Sequence, residues 1–321
     1  RVLVEIDENL DKLEFDYNAS LFNITINNPG NTRKNVLSDK NACPKGESID
    51  KTVKVTCLRD FAESQLIKIW AYPVGVANKR DAKLAGAILV NKNDALTRKQ
   101  LKFVYVKVKT DIDGPGGANP VTGDDATVPH EKANLKNALY HSLVIADIEN
   151  SPQTLDLSSD PDYQIGGQFF ISNFMYHGLN EDAPNFFQNL KALFLNDTDA
   201  SGNLINSQYN SGYFFIFAFG ADAYDGIAGQ VEDIGTRNLI LFPPRNDKTL
   251  AHESMHGLGL YHTHRDSTPI TEPEIKYIYL NANMLPQSQI ADATDNIMSY
   301  AGNLRKTTWR WQWDIIKNNI R

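Results

Sequence analysis

One stretch constrains this chain more than any other: His252-Glu253-Ser254-Met255-His256-Gly257-Leu258-Gly259-Leu260-Tyr261-His262. On a helix His252 and His256 lie one turn apart on the same face, so both imidazoles can reach a single ion. Glu253 projects beside them. Gly259 permits a positive φ, which lets the chain break the helix and return His262 as a third nitrogen donor. A fold that accepts this segment must supply a helix, a sharp left-handed turn, and space for a metal where they meet. Three protein ligands leave a fourth position for water, the arrangement of a catalytic rather than a structural zinc site. Of the seven histidines four fall between positions 252 and 264. His264 does not fit the ligand spacing and reads as a surface residue or one that touches a ligand.

The residue types suit one chemistry. Zinc lowers the pKa of bound water from 15.7 toward roughly 7, and a neighbouring carboxylate can then accept the proton and pass it to a leaving amine. The segment resembles the metzincin zinc peptidases, whose signature H-E-x-x-H-x-x-G-x-x-H it matches at each fixed position. Downstream, Asn296-Ile297-Met298-Ser299-Tyr300 is similar to the Met-turn of that clan. The resemblance implies zinc on His252, His256 and His262, with Glu253 as general base. It also implies Met298 as an apolar floor beneath the metal and Tyr300 as a catalytic hydroxyl near the zinc or the developing oxyanion. The implied activity is that of a zinc metalloendopeptidase acting on a protein or peptide substrate. Met255 and Tyr261 look astacin-like, but Thr263 stands where astacins carry Glu. The Met-Ser-Tyr triplet is serralysin-like, without the glycine-rich calcium repeats of that branch. The resemblance therefore stays at the level of the clan.

Hydrophobic periodicity divides the chain. Leu13, Phe15 and Tyr17 alternate with Glu14 and Asp16, and Phe22, Ile24 and Ile26 with Asn23 and Thr25, before Asn28-Pro29-Gly30 turns the chain. Val53, Val55 and Cys57 alternate similarly, and Leu66 to Tyr72 and Leu84 to Val90 are β-rich. Residues 1–98 therefore read as a small all-β, sandwich-like domain, with the polar stretch Asn91 to Lys99 as linker. From Leu101 onward strands mix with helices. Phe103 to Val108, Tyr213 to Phe219 and Asn238 to Phe242 read as strands, and Leu135, Ala138, Leu139 and Leu143 recur at helical spacing. Trp309, Trp313, Ile316 and Ile320 mark one apolar face of a last helix, with Thr307 or Thr308 as cap and the tryptophans expected in the core. The expected fold class is α+β, a metzincin-like zincin domain over 99–321 behind the N-terminal β-domain. Its strands at Tyr213 to Phe219 and Asn238 to Phe242 are expected to line a cleft where an extended substrate adds as a strand, with Asp222 to Gly235 as a gating loop.

Composition sets limits on partners. A net charge of −7, with both signs interspersed, excludes the basic stripe of a nucleic-acid binder. No run approaches the roughly 18 apolar residues of a membrane span, so a soluble protein is expected. The N-terminal Arg-Val-Leu-Val-Glu-Ile lacks the features of a secretory signal, and the expected location is secreted or extracellular. Cys43 and Cys57 could close one small disulfide loop or remain thiols. Asp197, Asp199 and Ser201 stand at positions 1, 3 and 5 of a calcium-loop-like segment, but Gln208 replaces the bidentate Glu at position 12. Calcium and a plain polar turn both remain open there. Three other readings compete with the peptidase: an effector or toxin protease released from a larger secreted protein, a binding module using the β-domain, and a pro-segment whose Cys43 thiolate blocks the metal.

Overall fold

The computed structural model describes residues 2–5, 10–27, 48–112, 120–123, 128–172, 174–175, 183–263, 296–299 and 307–320. The chain forms two compact units, Arg1–Arg98 and Lys99–Arg321. The overall class is mixed α and β, rich in sheet. No helix among the described residues is long and apolar enough to cross a membrane.

The first unit is built from strands β1 (Val2–Glu5), β2 (Leu10–Asp16), β3 (Phe22–Asn27), β4 (Ser48–Cys57), β5 (Gln65–Pro73) and β6 (Lys83–Val90). They form two three-stranded antiparallel sheets, β1-β4-β3 and β2-β5-β6. Register in the first sheet opposes Phe22 to Cys57 and Ile24 to Val55, pairing β-branched and aromatic residues across strands. Leu13, Phe22, Phe61, Ile67, Ala71 and Tyr72 are its buried apolar residues among those described, and the Phe22 and Phe61 rings meet edge to face at 5.3 Å. Cys57 is an exposed free thiol, and Cys43 lies outside the described residues.

The second unit is organised by a seven-stranded sheet. Its central strands are β7 (Lys99–Asp111) and β13 (Tyr213–Phe219), parallel, with Phe103 opposite Phe214. One side of β7 carries β9 (Val144–Ile148) and then β10 (Gln153–Asp156), both parallel, and the short β8 (Pro120–Thr122) pairs antiparallel at the end of β7. Beyond β13 lie parallel β15 (Asn238–Leu241) and antiparallel β14 (Gly229–Val231), the outer strand of the sheet order. A two-stranded ribbon, β11 (Phe170–Ile171) with β12 (Phe174–Met175), stands apart.

Both faces of this sheet are covered, which explains why β13 is an unbroken apolar run rather than an alternating one. On one face Phe103, Tyr105, Phe214 and Ile216 pack with Leu135 and Leu139 of helix α1 (Glu131–Tyr140). Leu250 and Met255 of α3 (Thr249–Gly257) and Ile316 of α4 (Arg310–Asn318) complete that core. On the other face Val104, Val106, Phe215 and Phe217 pack with Phe186, Phe187, Leu190 and Phe194 of α2 (Ala183–Leu195). Two expectations change here. β13 and β15 are paired on both sides, so neither can accept another strand, and the outer strand is β14. In and around α4 the buried stripe is Thr308, Gln312, Ile316 and Ile320, while Trp309, Trp311 and Trp313 are only half-buried. Gln312 Oε1 caps the helix by accepting from the Trp309 N–H at 2.6 Å, and the Thr308 hydroxyl instead accepts from the Trp313 indole at 3.1 Å.

Candidate metal centre

α3 carries His252 and His256 on one face and ends where its sequence requires it to end. Gly259 has φ +90°, the left-handed conformation that L side chains resist. Its N–H donates to the His256 carbonyl at 2.9 Å, and the Leu260 N–H donates to the Met255 carbonyl at 3.0 Å. These are the two bonds of a Schellman cap, with Met255 and Leu260 both buried beneath it. A Cβ on Gly259 would lie 2.6 Å from Asn319 Nδ2, and one on Gly257 would lie 2.4 Å from the Phe214 ring and 2.5 Å from the Thr236 carbonyl oxygen. Both glycines are thus needed where the helix end meets the sheet and α4.

The cap swings the chain back so that three ring nitrogens meet. His262 Nε2 lies 3.1 Å from His252 Nε2 and 3.1 Å from His256 Nε2, and the candidate ligand atoms all fall within 4.8 Å of one another. The opposite nitrogens are taken up. His252 Nδ1 meets the Ile297 carbonyl oxygen at 2.8 Å, and His256 Nδ1 meets the Leu260 carbonyl oxygen at 2.7 Å. A carbonyl only accepts, so both Nδ1 atoms carry the proton and both Nε2 atoms present lone pairs. A cation between the three rings satisfies all of them at once, and ligands about 2.0 to 2.1 Å from a tetrahedral zinc stand roughly 3.3 Å apart. Two of the three separations match that spacing, and three imidazole nitrogens are a donor set of the kind zinc takes. It is the one group of three or more potential metal-binding side chains among the described residues.

Glu253 is half-buried on α3 beside His252, and Thr263 just after the third histidine donates its N–H to the Met298 carbonyl at 3.1 Å. The 296–299 turn thereby touches both ligand-bearing segments, through Ile297 to His252 and through Met298 to the chain after His262. Met298 itself is fully buried. Tyr300 and His264 lie outside the described residues. Asp197, Asp199 and Ser201 are in the second unit, in a loop closed by a bridge between Thr198 and Leu204. There Asp199 Oδ1 accepts from the Ser201 and Asn203 N–H groups at 2.8 and 2.9 Å, and Oδ2 from Asn203 Nδ2 at 3.1 Å. Those bonds from Asn203 hold the Asp199 carboxyl below the usual carboxylate range and account for the segment as a polar turn.

The comparisons with known proteins leave the site to its own geometry. No family model, no curated protein and no solved structure matches the chain.

The groups that orient the three candidate ligands carry no signal in the sequence. The Ile297 and Leu260 carbonyls carry no side-chain signature, and Asn296, Gln312 and Asn319 are ordinary polar residues in sequence. Asn319 Nδ2 donates to the Leu258 carbonyl at 3.2 Å, while its own carbonyl accepts from Arg237 at 2.7 Å, so the end of α4 braces the loop that carries His262. A buried triad braces the other end of α3. Arg245, in the connection before the helix, bonds Glu131 Oε2 through Nε at 3.0 Å and the Tyr105 hydroxyl at 3.1 Å. The Tyr105 hydroxyl donates to Glu131 Oε1 at 3.1 Å. Both side chains of the ion pair are 1% exposed.

Proposed function

We propose that the second unit is a zinc-dependent endopeptidase of the metzincin kind. The observation that carries this reading is the convergence of three imidazole Nε2 atoms, two with their Nδ1 protons already committed to carbonyls, on a helix where Glu253 follows the first ligand. A purely structural zinc site has four protein ligands and no use for a neighbouring general base. The succession of β7, α1, β13, β15 and α3 along the chain is the order the metzincin resemblance implies, and the buried Met298 beside the ligand segments suits the role of apolar floor.

Zinc held by His252, His256 and His262 would supply Lewis acidity and make a water acidic enough to lose its proton near neutral pH. Glu253 accepts that proton on a carboxylate oxygen and delivers it to the departing amine nitrogen. Both imidazoles stay fixed through the cycle, because rotation of either ring would break its Nδ1–H bond to a main-chain carbonyl. Tyr300, by the same resemblance, donates its hydroxyl to the oxyanion that develops on the attacked carbonyl. An extended peptide would lie along β14, the outer strand packed against α3, and use main-chain hydrogen bonds for most of its binding.

The deciding experiment is a peptide-library cleavage profile on the full chain. Cleavage should occur at preferred sequences, stop when a chelator removes metal, and return when zinc is added. A zinc-loaded chain that cleaves no library peptide would refute the reading.

A further inference from the structure

The C-terminal helix holds a buried amide whose hydrogen bonds lead to one of the metal-facing imidazoles. Gln312, with no exposed surface, accepts at Oε1 from Asn296 Nδ2 at 2.8 Å and from the Trp309 N–H at 2.6 Å. Asn296, equally buried, fixes the turn that it opens. Its Oδ1 accepts from the Met298 N–H at 2.9 Å, and its carbonyl accepts from the Ser299 N–H at 3.0 Å and hydroxyl at 2.8 Å. Between those anchors sits Ile297, whose carbonyl receives the His252 Nδ1 proton at 2.8 Å. The amide orientations agree with one another. Backbone N–H groups can only donate, so Gln312 Oε1 must face Trp309 and Asn296 Oδ1 must face Met298, which leaves Asn296 Nδ2 to donate to Gln312.

We infer that Gln312 is a positioning residue for the metal centre. By holding Asn296 it fixes the Ile297 carbonyl, and through that carbonyl the tautomer and plane of the His252 ring. The inference rests on the metal reading above and extends it to a helix far along the chain. Groups that orient a ligating histidine commonly matter about 10- to 100-fold to metal affinity. A packing role alone does not explain the choice of residue. Among the described residues Gln312 Nε2 has no hydrogen-bond partner, a desolvation cost that an apolar side chain on the stripe of Ile316 and Ile320 would avoid. That cost is understandable if the acceptor oxygen has a task that Leu or Ile cannot perform.

The test measures zinc affinity by chelator competition, per folded molecule, and the visible spectrum of the cobalt-substituted full chain. Gln312→Leu should weaken zinc about 10- to 100-fold and alter the cobalt bands. Asn296→Asp, which keeps an acceptor for Met298 but loses the donor to Gln312, should move both readouts in the same direction. It decides the matter if Gln312→Leu does not fold. Gln312→Glu keeps an acceptor oxygen for both donors and should restore affinity to within about threefold of wild type. Ile316→Ala should lower the melting temperature while leaving zinc affinity unchanged. Wild-type zinc affinity and cobalt spectrum in Asn296→Asp and in any folded Gln312→Leu would overturn the inference, as would an equal loss of affinity in Ile316→Ala. A wild-type chain that binds neither metal would instead overturn the metal reading beneath it.

Discussion

Glu253 and His256 sit within one turn of helix and are expected to fail in different ways. Glu253→Gln removes the base and leaves three imidazoles, so zinc content should stay at the wild-type level while turnover falls about 10²- to 10⁴-fold. Metal analysis and steady-state kinetics on one preparation check this, and wild-type turnover would remove Glu253 from the mechanism. His256→Ala leaves two ligands, too few for a catalytic ion, and should lose zinc and activity together. Full zinc occupancy in that variant would show that the helix histidines are not ligands. The proximity of His252, His256 and His262 was legible in sequence because two histidines four apart share a helix face and Gly259 lets the chain return the third. The Ile297 and Leu260 carbonyls were not, because every residue has a carbonyl and only the fold decides which one faces an imidazole.

At the scale of elements, the end of α3 is the most demanding position. Gly259→Ala would place a methyl in the left-handed region and against Asn319, at a cost of about 1 to 3 kcal/mol. His262 depends on the same turn, so zinc affinity should fall along with the melting temperature. A variant with an unchanged melt and unchanged affinity would show that the turn tolerates the side chain. Gly259 was identifiable because φ-positive turns favour one residue type. In the first unit the places of β2 to β6 were legible from alternation. Helix α2 escaped notice, since Phe186, Phe187, Leu190 and Phe194 make a broad apolar face that short-range inspection does not separate from a buried strand. In α4 the half-buried tryptophans misled for a related reason. Large rings count as core by type, yet the stripe facing the sheet is the one holding Gln312, which no hydropathy pattern selects.

Across the whole second unit, the Tyr105, Glu131 and Arg245 triad joins the central strand, α1 and the approach to α3. Burial would push the Arg245 pKa down, but the hydrogen bond and charge of Glu131 and the nearby Tyr105 outweigh it, and the net shift is upward. Arg245→Met strands a buried carboxylate and should cost about 3 to 5 kcal/mol in a denaturant titration. The triple substitution Tyr105→Phe, Glu131→Met and Arg245→Met removes all the polar groups together and should cost less than Arg245→Met alone. A triple variant less stable than the single one would show that the triad contributes net stability beyond satisfying its own buried charges.

The sheet's two packed faces divide what inheritance can change. The groups that hold the imidazoles of the proposed site lie on the α1, α3 and α4 side, and among the described residues none of them belongs to the phenylalanine-rich core. Lineages of this chain are therefore free to drift in how long a molecule lasts, through volume-conserving swaps around α2, without altering what it does. Under the peptidase reading, selection for a new substrate meets no such freedom on the opposite face, where the carbonyls of Ile297 and Leu260 hold the imidazoles.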